Sequence, residues 1–287
     1  MNKVGFIVDS TAIIALDLIE KYQIEIVPLF VTVDGVTKLG KDIDDDKFEK
    51  DYSTFKKTTT SSPTPNAFLE AYQKQFERGF KDIIVLPLSE KLSGTHQTAI
   101  VARSLLSEEK QQHVHIVNTL NASIGIDAFF EGMRDALEND LDVGELISLI
   151  EKRNENALVI FEVNELKHLY NGGRLSRLKY IVGDLLKIKP LIEFKEGSLK
   201  AIGINRNRMK NIEMVVNRVV NLAQKCKNIF VNIFYRSEIS KKSLEIIKEK
   251  LKEKIPNLKI ATSLRLDPVF LTHVGNEGYG VAVCAYN

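Results

Sequence analysis

Side chains that could bind an anion are concentrated at residues 88–99, where a Ser-Gly-Thr turn separates a predicted strand from a predicted helix. The apolar run at residues 82–88 is typical of a buried parallel strand, and residues 96–106 repeat apolar positions at helical spacing. A helix N-terminus offers unpaired backbone N–H groups and a partial positive charge, and Ser93 and Thr95 add hydroxyl donors. This pattern predicts a binding site for a negatively charged group at the end of the strand.

Other predicted strand ends also carry small hydroxyl residues. Helix N-capping is the simpler interpretation for three of them, Ser10, Ser62 and Thr64, because Ser and Thr are preferred caps. Capping and ligand binding remain equally open for Thr60, Ser61 and Ser93. Gly94 permits a close backbone approach to a ligand, and residues 58–62 hold more hydroxyls than one cap uses.

These side chains require an α/β scaffold to position them. From residue 3 to about residue 154 the chain repeats a strand and then a helix, which predicts a mainly parallel sheet. After the strand at residues 157–163 the order changes, and residues 191–204 are typical of a β-hairpin with a short turn at residues 195–198. We therefore expect two α/β domains, at residues 1–155 and 156–287, the second with a mixed sheet and flanking helices.

Composition excludes several classes of protein. Forty Lys and Arg against 38 Asp and Glu give a net charge of +2, which argues against a general nucleic-acid binder. No apolar stretch reaches the roughly 20 residues that a membrane span needs, and no signal peptide is evident, so we expect a cytoplasmic protein. The two cysteines, Cys226 and Cys284, are far apart and have no nearby metal-ligand partner, so a metal is not expected. No cofactor is expected either.

Two enzyme functions are alternatives to binding. A serine hydrolase would use Ser93, but a nucleophile elbow needs glycine two residues to each side, where Lys91 and Thr95 stand. A phosphotransferase would use Asp9, but no second acidic residue follows two positions later. Nucleotide-binding glycine motifs are also missing from the sequence. Hydrolysis at Ser93 and phosphoryl transfer at Asp9 stay as alternatives to a carrier function.

Basic residues suggest a surface for a partner. The turn at residues 171–174 ends in Arg174, which could be a solvated residue after a helix C-terminus or could meet an anionic head group or another protein. Arg206 is a weaker candidate of the same kind. A DNA-binding regulator that uses this basic cluster is a further alternative, although no recognition helix is evident.

Six ordered motifs together resemble the DegV family, over essentially the whole chain. They are VDST at residues 8–11, TSSPT at 60–64, LSEKLSGTHQTA at 88–99, LYNGGRLS at 169–176, LLKIKPLIEF at 185–194 and HVGNEGYG at 273–280. Two positions depart from the family pattern, since Ser62 stands where Gln is frequent and residues 276–277 replace a common Pro-Gly.

The resemblance implies a function as well as a fold. It implies a long-chain fatty acid whose carboxylate lies between the domains, with the tail buried in the second domain, and a fatty acid kinase as partner. Matched by position, the carboxylate contacts implied by the family fall on Thr60, Ser93 and His273, with Ser61 and Gly94 beside them. Apolar candidates for the tail site are Leu178, Ile181, Val182, Leu185, Leu186, Phe161, Phe194, Phe230 and Phe270.

Overall fold

The computed structural model describes residues 4–139, 141–164, 166–174, 189–235, 238–256, 258–262 and 267–287. The predicted helix at residues 178–187, with the tail candidates Leu178, Ile181, Val182, Leu185 and Leu186, lies outside these residues. The elements before residue 156 are β1 (Val4–Asp9), α1 (Leu16–Lys21), β2 (Glu25–Val27), β3 (Phe30–Val33), β4 (Val36–Leu39), α2 (Asp45–Asp51), β5 (Thr58–Ser61), α3 (Pro65–Glu77), β6 (Asp82–Leu86), α4 (Thr95–Ser104), α5 (Glu108–Gln111), β7 (Val114–Ile116), α6 (Ile124–Gly132), α7 (Arg134–Leu137) and α8 (Val143–Glu155). The elements after it are β8 (Ala157–Val163), α9 (Lys167–Asn171), β9 (Lys189–Lys195), β10 (Ser198–Asn205), α10 (Arg208–Ala223), β11 (Asn228–Tyr235), α11 (Glu238–Lys254), β12 (Lys259–Thr262), α12 (Pro268–Val274) and β13 (Gly278–Tyr286).

The first half of the chain forms the predicted parallel sheet, in the order β2-β1-β6-β7. All six residues of β1 are buried, as expected for a strand that has helices on both faces. The carboxyl ends of the parallel strands lie at one edge of this sheet, so the loops after β1, β6 and β7 meet there. This is the edge at which the sequence predicts a ligand.

A small antiparallel sheet is not apparent from the sequence. Residues 24–33 read as one strand, but they divide into β2, in the parallel sheet, and β3, which pairs with β4 and β5. The interruption falls at residues 28–29, where Pro28 supplies no backbone N–H for a ladder. The polar strand β5 therefore belongs to this separate sheet of three strands, and the sheet positions Thr60.

The second half of the chain builds the mixed sheet, in the order β10-β9-β8-β13-β11-β12. All neighbouring strands pair antiparallel except β11 and β12, which are parallel. The predicted hairpin is confirmed as β9 and β10. The last strand, β13, lies in the middle of the sheet, and eight of its nine residues are buried.

The described residues form four apolar clusters, of which one joins the two halves and the other three each lie within one half. A single cluster of buried side chains includes Leu29 and Leu88 from the first half with Phe161 and Leu271 from the second. Helix α6 also packs on β8, β11 and β13, although it precedes residue 155. The domain boundary at residues 155–156 therefore stays a prediction. It is supported by the mixed sheet, because all six strands of that sheet follow residue 156.

Candidate ligand-binding site

A cavity of about 50 Å³ lies where the carboxyl ends of β1 and β6 meet β8–β10 and α12. One part of its wall is polar and the rest is apolar. Among the described residues, those that line it are Thr11, Leu29, Thr60, Leu88, Leu92, Ser93, Ala122, Phe161, Leu169, Arg174, Phe194, Leu199, Val269, Phe270, His273 and Val274. The site thus draws on both halves of the chain, including the loops that follow the parallel strands.

Hydroxyl groups form a connected chain at the polar part of the cavity. Ser93 Oγ lies 2.9 Å from Thr95 Oγ1 and 3.2 Å from Ser62 Oγ, and it accepts a hydrogen bond from the Thr95 backbone N–H at 3.3 Å. Thr95 is the first residue of α4, so this N–H has no partner within the helix. When the Thr95 or Ser62 hydroxyl also donates to Ser93 Oγ, the Ser93 hydroxyl keeps its own proton for an outside acceptor such as a carboxylate.

Thr60 and His273 form the second polar pair. Thr60 Oγ1 lies 2.8 Å from His273 Nε2. If Nε2 carries the imidazole proton and donates it to Thr60 Oγ1, the Thr60 hydroxyl proton is free for a ligand. His273 lies in the last turn of α12. Asp267 caps this helix and Pro268 is its first residue. Because α12 packs against β5, the helix places the ring next to that strand.

The environment of His273 favours a neutral ring. Burial, together with the nearby Arg174 cation, lowers the pKa of His273 to about 4. Among the described residues no group pairs with Nδ1, which is buried. A Cβ placed on Gly172 would lie 2.5 Å from this nitrogen, so glycine is needed at that position for the ring to pack against the α9 end.

Arg174 lies at the cavity and is only partly exposed. Its Nε donates to the Leu92 carbonyl at 3.1 Å, and its Nη1 donates to the Gly172 carbonyl. Burial lowers the pKa of the guanidinium below its usual value. The side chain is therefore held beside Ser93 and His273, which differs from a simple solvated residue after a helix.

Aromatic rings form much of the apolar wall. The Phe161 and Phe194 rings lie 5.8 Å apart between centroids, and the Phe161 and Phe270 rings lie 6.3 Å apart. These three predicted tail residues line the cavity. Phe230, the fourth predicted phenylalanine, packs against the same core cluster but does not line the cavity.

The other predicted site residues, Ser61, Gly94 and Arg206, do not line the cavity. Ser61 is exposed, because it alternates with Thr60 along β5 and so points to the opposite face of the strand. Gly94 is the exposed N-cap residue of α4, and a Cβ there would lie 3.4 Å from Ser62 Oγ. Arg206 is exposed after the last residue of β10. Because β10 has eight residues, Arg206 is roughly 25 Å along the strand from the turn at the cavity.

The interpretation of hydroxyls as helix caps succeeds only in part. Thr64 caps α3 by accepting from the Ala67 N–H at 3.3 Å, as predicted. The capping prediction was wrong for Ser10, which accepts from the Leu29 N–H, and for Ser62, which contacts Ser93. No local signal indicates that Ser62 joins the site, because its partner is 31 residues away in the chain.

The Asp9 carboxylate makes hydrogen bonds that stabilise the fold. Its Oδ1 accepts from the Thr11 N–H at 2.9 Å and from the Thr11 hydroxyl at 2.5 Å, and its Oδ2 accepts from the Leu88 N–H at 2.6 Å. Burial raises the pKa of this fully buried carboxyl, against those hydrogen bonds. The contacts join the ends of β1 and β6 and occupy both oxygens, which argues against Asp9 as a nucleophile.

Within the ranges given above, no group of three or more His, Cys, Asp or Glu side chains is arranged to hold a metal ion. In the same ranges, none of the helices has the length and apolar character that crossing a membrane requires.

Comparisons with known proteins identify relatives of this chain. The model of the DegV family, described as uncharacterised proteins, matches residues 3–286. A protein of Thermotoga maritima named fatty acid-binding protein is 32% identical over 227 residues, which cover 76% of this chain and 76% of that protein.

Solved structures give the same result at the level of the fold. A DegV lipid-binding protein from Thermotoga maritima is 26% identical with a TM-score of 0.82, and the match covers 99% of each chain. A fatty-acid-binding DegV family protein from Thermus thermophilus is 25% identical with a TM-score of 0.83, covering 99% of this chain and 100% of that one. Since the family model spans nearly every residue, this chain belongs to the DegV family.

Proposed function

We propose that this protein binds one long-chain fatty acid, with the carboxylate at Thr60, Ser93 and His273 and the acyl chain among the aromatic and aliphatic side chains of the cavity. The observation that carries the proposal is the hydroxyl and imidazole cluster at the polar part of an otherwise apolar cavity. The names of the two relatives from Thermotoga maritima and that of the Thermus thermophilus protein support a lipid as the ligand.

The chemistry of the site suits this ligand class. A carboxylate only accepts hydrogen bonds, and the Thr60 and Ser93 hydroxyls can each donate one. Each buried methylene of the tail contributes about 0.8 kcal/mol, so an apolar wall favours long chains. The cavity of about 50 Å³ is smaller than the roughly 300–1,000 Å³ of typical ligand pockets, so we propose that lining side chains move as the acyl chain enters.

The second part of the proposal concerns a partner. We propose that the protein acts in the cytoplasm as a carrier, without catalysis of its own, and that it presents the carboxylate to a fatty acid kinase. Arg174 supports this because it lies between the carboxylate site and the surface, where it can meet both ligand and partner. Arg206 is exposed and stays a predicted outer contact with the kinase.

Mass spectrometry tests the ligand. Native spectra of the purified protein, and organic extracts of it, should contain a fatty acid in about equimolar amount. Delipidated protein should then bind a fluorescent fatty acid, and it should hydrolyse neither p-nitrophenyl esters nor phosphoesters above a heat-treated control. A nucleotide or peptide in place of lipid, or a hydrolysis rate that disappears in Ser93→Ala or Asp9→Asn, would contradict the carrier function.

A further inference from the structure

A second concave region of the surface lies beside α1 and β2. It is a groove of about 500 Å³, and its walls come from the loop after β1, from α1 and β2, and from residues 40–46 with Asp267. Among the described residues, none lines both this groove and the head-group cavity. Ligand binding in the cavity therefore does not account for the groove.

Part of the groove wall is apolar. The apolar residues that line it are Ala12, Ile13, Ile14, Ile19, Ile26 and Ile43. Leu16 lies one helical turn before Ile19 in α1, so the two side chains are neighbours on the helix surface. Leu16 is 75% exposed, the largest value for a large apolar side chain in the described ranges, and Ile26 on the edge strand β2 is 40% exposed. Exposed apolar side chains clustered at a concave surface are typical of a binding site for another protein.

The rest of the groove wall is mainly acidic. Among the described residues that line it, Lys41 is the one lysine, and four are aspartates, namely Asp44, Asp45, Asp46 and Asp267. Burial, together with the carboxylates of Asp45 and Asp9, raises the pKa of Asp267 to about 7. Asp44 and Asp46 are exposed. The groove thus presents an excess of negative charge beside an apolar surface.

The two kinds of wall together restrict the occupant. Negative charge disfavours nucleic acid and an anionic membrane surface, since both carry phosphates. A bare cation would leave the apolar wall unused. An occupant that matches both walls has apolar side chains next to Lys or Arg side chains, which is the composition of a basic amphipathic helix.

A second copy of this chain matches the groove less well. Its lysine-rich helix, α11, has the required charge, with Lys242 and Lys252 exposed. The apolar residues of α11, Leu244, Ile247 and Leu251, are buried in the molecule's own core. This helix can therefore offer cations to the groove but no apolar face.

We propose that the groove is a docking site for a basic amphipathic helix of a partner protein. The apolar face of that helix packs against Leu16, Ile19 and Ile26, and its Lys or Arg side chains face the carboxylates of Asp44 and Asp267. The apolar contacts supply most of the affinity, because burial of a leucine contributes more free energy than a solvent-exposed ion pair. The charges select a basic partner and speed its association. This interaction does not depend on which ligand fills the cavity.

A labelled peptide tests the groove. The probe is an amphipathic peptide of about four helical turns, with leucine on one face and lysine on the other, and the comparison peptide has glutamate in place of lysine. Fluorescence anisotropy titrations use the full chain. Wild type should bind the lysine peptide about tenfold more tightly than the glutamate peptide, and this affinity should fall as ionic strength rises.

Two variants test the two kinds of wall. Leu16→Ser removes exposed apolar surface and should weaken binding of the lysine peptide about tenfold. Asp44 caps α2 by accepting from the Lys47 N–H, and asparagine can replace it as a cap. Asp44→Asn therefore removes one charge without removing the cap, and it should weaken binding about threefold and reduce the salt dependence. The matched controls are Leu105→Ser, at an exposed leucine that follows α4, and Glu77→Gln, at the exposed end of α3, and both should bind like wild type.

Several results would overturn the docking site. They are a wild type that does not bind the lysine peptide, a wild type that binds both peptides equally well, and unchanged binding in Leu16→Ser. Equal losses in Leu16→Ser and Leu105→Ser would also overturn it, because the peptide would then be binding exposed apolar surface in general. Light scattering adds a further check on the occupant. A wild-type dimer that dissociates in Leu16→Ser would show that a second copy fills the groove, which contradicts a partner helix.

Discussion

At the scale of single residues, the site depends on where a few protons point. The Ser93 hydroxyl accepts from the Thr95 N–H, contacts the Thr95 hydroxyl and lines the cavity. When His273 Nε2 carries the imidazole proton and donates it to Thr60 Oγ1, the Thr60 hydroxyl proton is likewise available to a ligand. Because a carboxylate cannot donate, these arrangements favour an anionic acceptor over a neutral donor as ligand.

Replacement of Ser93 by alanine should weaken fatty-acid binding. A hydrogen bond to a charged group contributes about 1.5–3 kcal/mol, so Ser93→Ala should raise the dissociation constant at least tenfold in a fluorescent fatty-acid titration. Ser61→Ala is the matched control, because it removes an exposed hydroxyl from the other face of β5. Equal affinities for wild type and Ser93→Ala would remove Ser93 from the site.

The His273 imidazole should make stability depend on pH. Its pKa is lowered to about 4, whereas the unfolded chain keeps it near 6.5. Between these values the unfolded state binds more protons, so this contribution to the free energy of unfolding is lost as pH falls from 6.5 to 4. Denaturant titrations should show a steeper fall over this range for wild type than for His273→Gln. Identical slopes would mean that the ring is not buried in its neutral form.

At the scale of elements, close packing of α9 against α12 sets the position of the imidazole. Gly172 follows α9 and faces His273, while Gly275 follows α12 and faces His168. Tyr52 OH lies 3.0 Å from His168 Nδ1, so His168 is part of this contact. The two glycines allow each helix end to approach a ring of the other.

An alanine at Gly172 should therefore damage binding through His273. Its Cβ would lie 2.5 Å from Nδ1, which forces the ring to shift and separates Nε2 from Thr60. We expect fatty-acid affinity to fall about tenfold or more, with a loss of stability on the order of 1–3 kcal/mol from overpacking. Asn171→Ala, at the exposed end of the same helix, is the control. Unchanged affinity in Gly172→Ala would show that the position of the ring does not matter for binding.

At the scale of the whole molecule, the β9–β10 hairpin connects the mixed sheet to the loop that carries Ser93. Ser89 and Lys91 both donate to carbonyls of its turn. Gly197 has φ +76°, a left-handed conformation that favours glycine, and a Cβ there would lie 2.5 Å from Ser89 Oγ. The contact fixes the two halves of the site relative to each other.

Gly197→Ala should loosen this connection. We expect faster dissociation of the fatty acid in stopped-flow measurements and a lower melting temperature than in wild type. Gly35→Ala is the matched control, since Gly35 lies in the turn of another hairpin with φ +89°, and no heavy atom lies within 4 Å of the place where its Cβ would stand. Both variants strain the backbone, but only the first adds a clash. If the two variants release ligand at the same rate, the hairpin does not hold the site closed.

The sequence by itself determined the elements and much of the chemistry. Buried apolar runs specify β1 and β6, Thr64 specifies the cap of α3, and the hydroxyls at strand ends mark the ligand edge, because these signals act over a few residues. The hairpin at residues 195–198 was predictable for the same reason.

Only the tertiary structure decided which of these residues meet. Ser62 reaches Ser93 across 31 residues, Thr60 reaches His273 across 213, and β13 inserts between β8 and β11. Such contacts depend on the packing of distant segments around a shared core, which leaves no local periodicity in the chain. The pattern also could not show that Ser61 points away while Thr60 points inward, because the strand β5 is polar on both faces and its orientation is set by its pairing with β3.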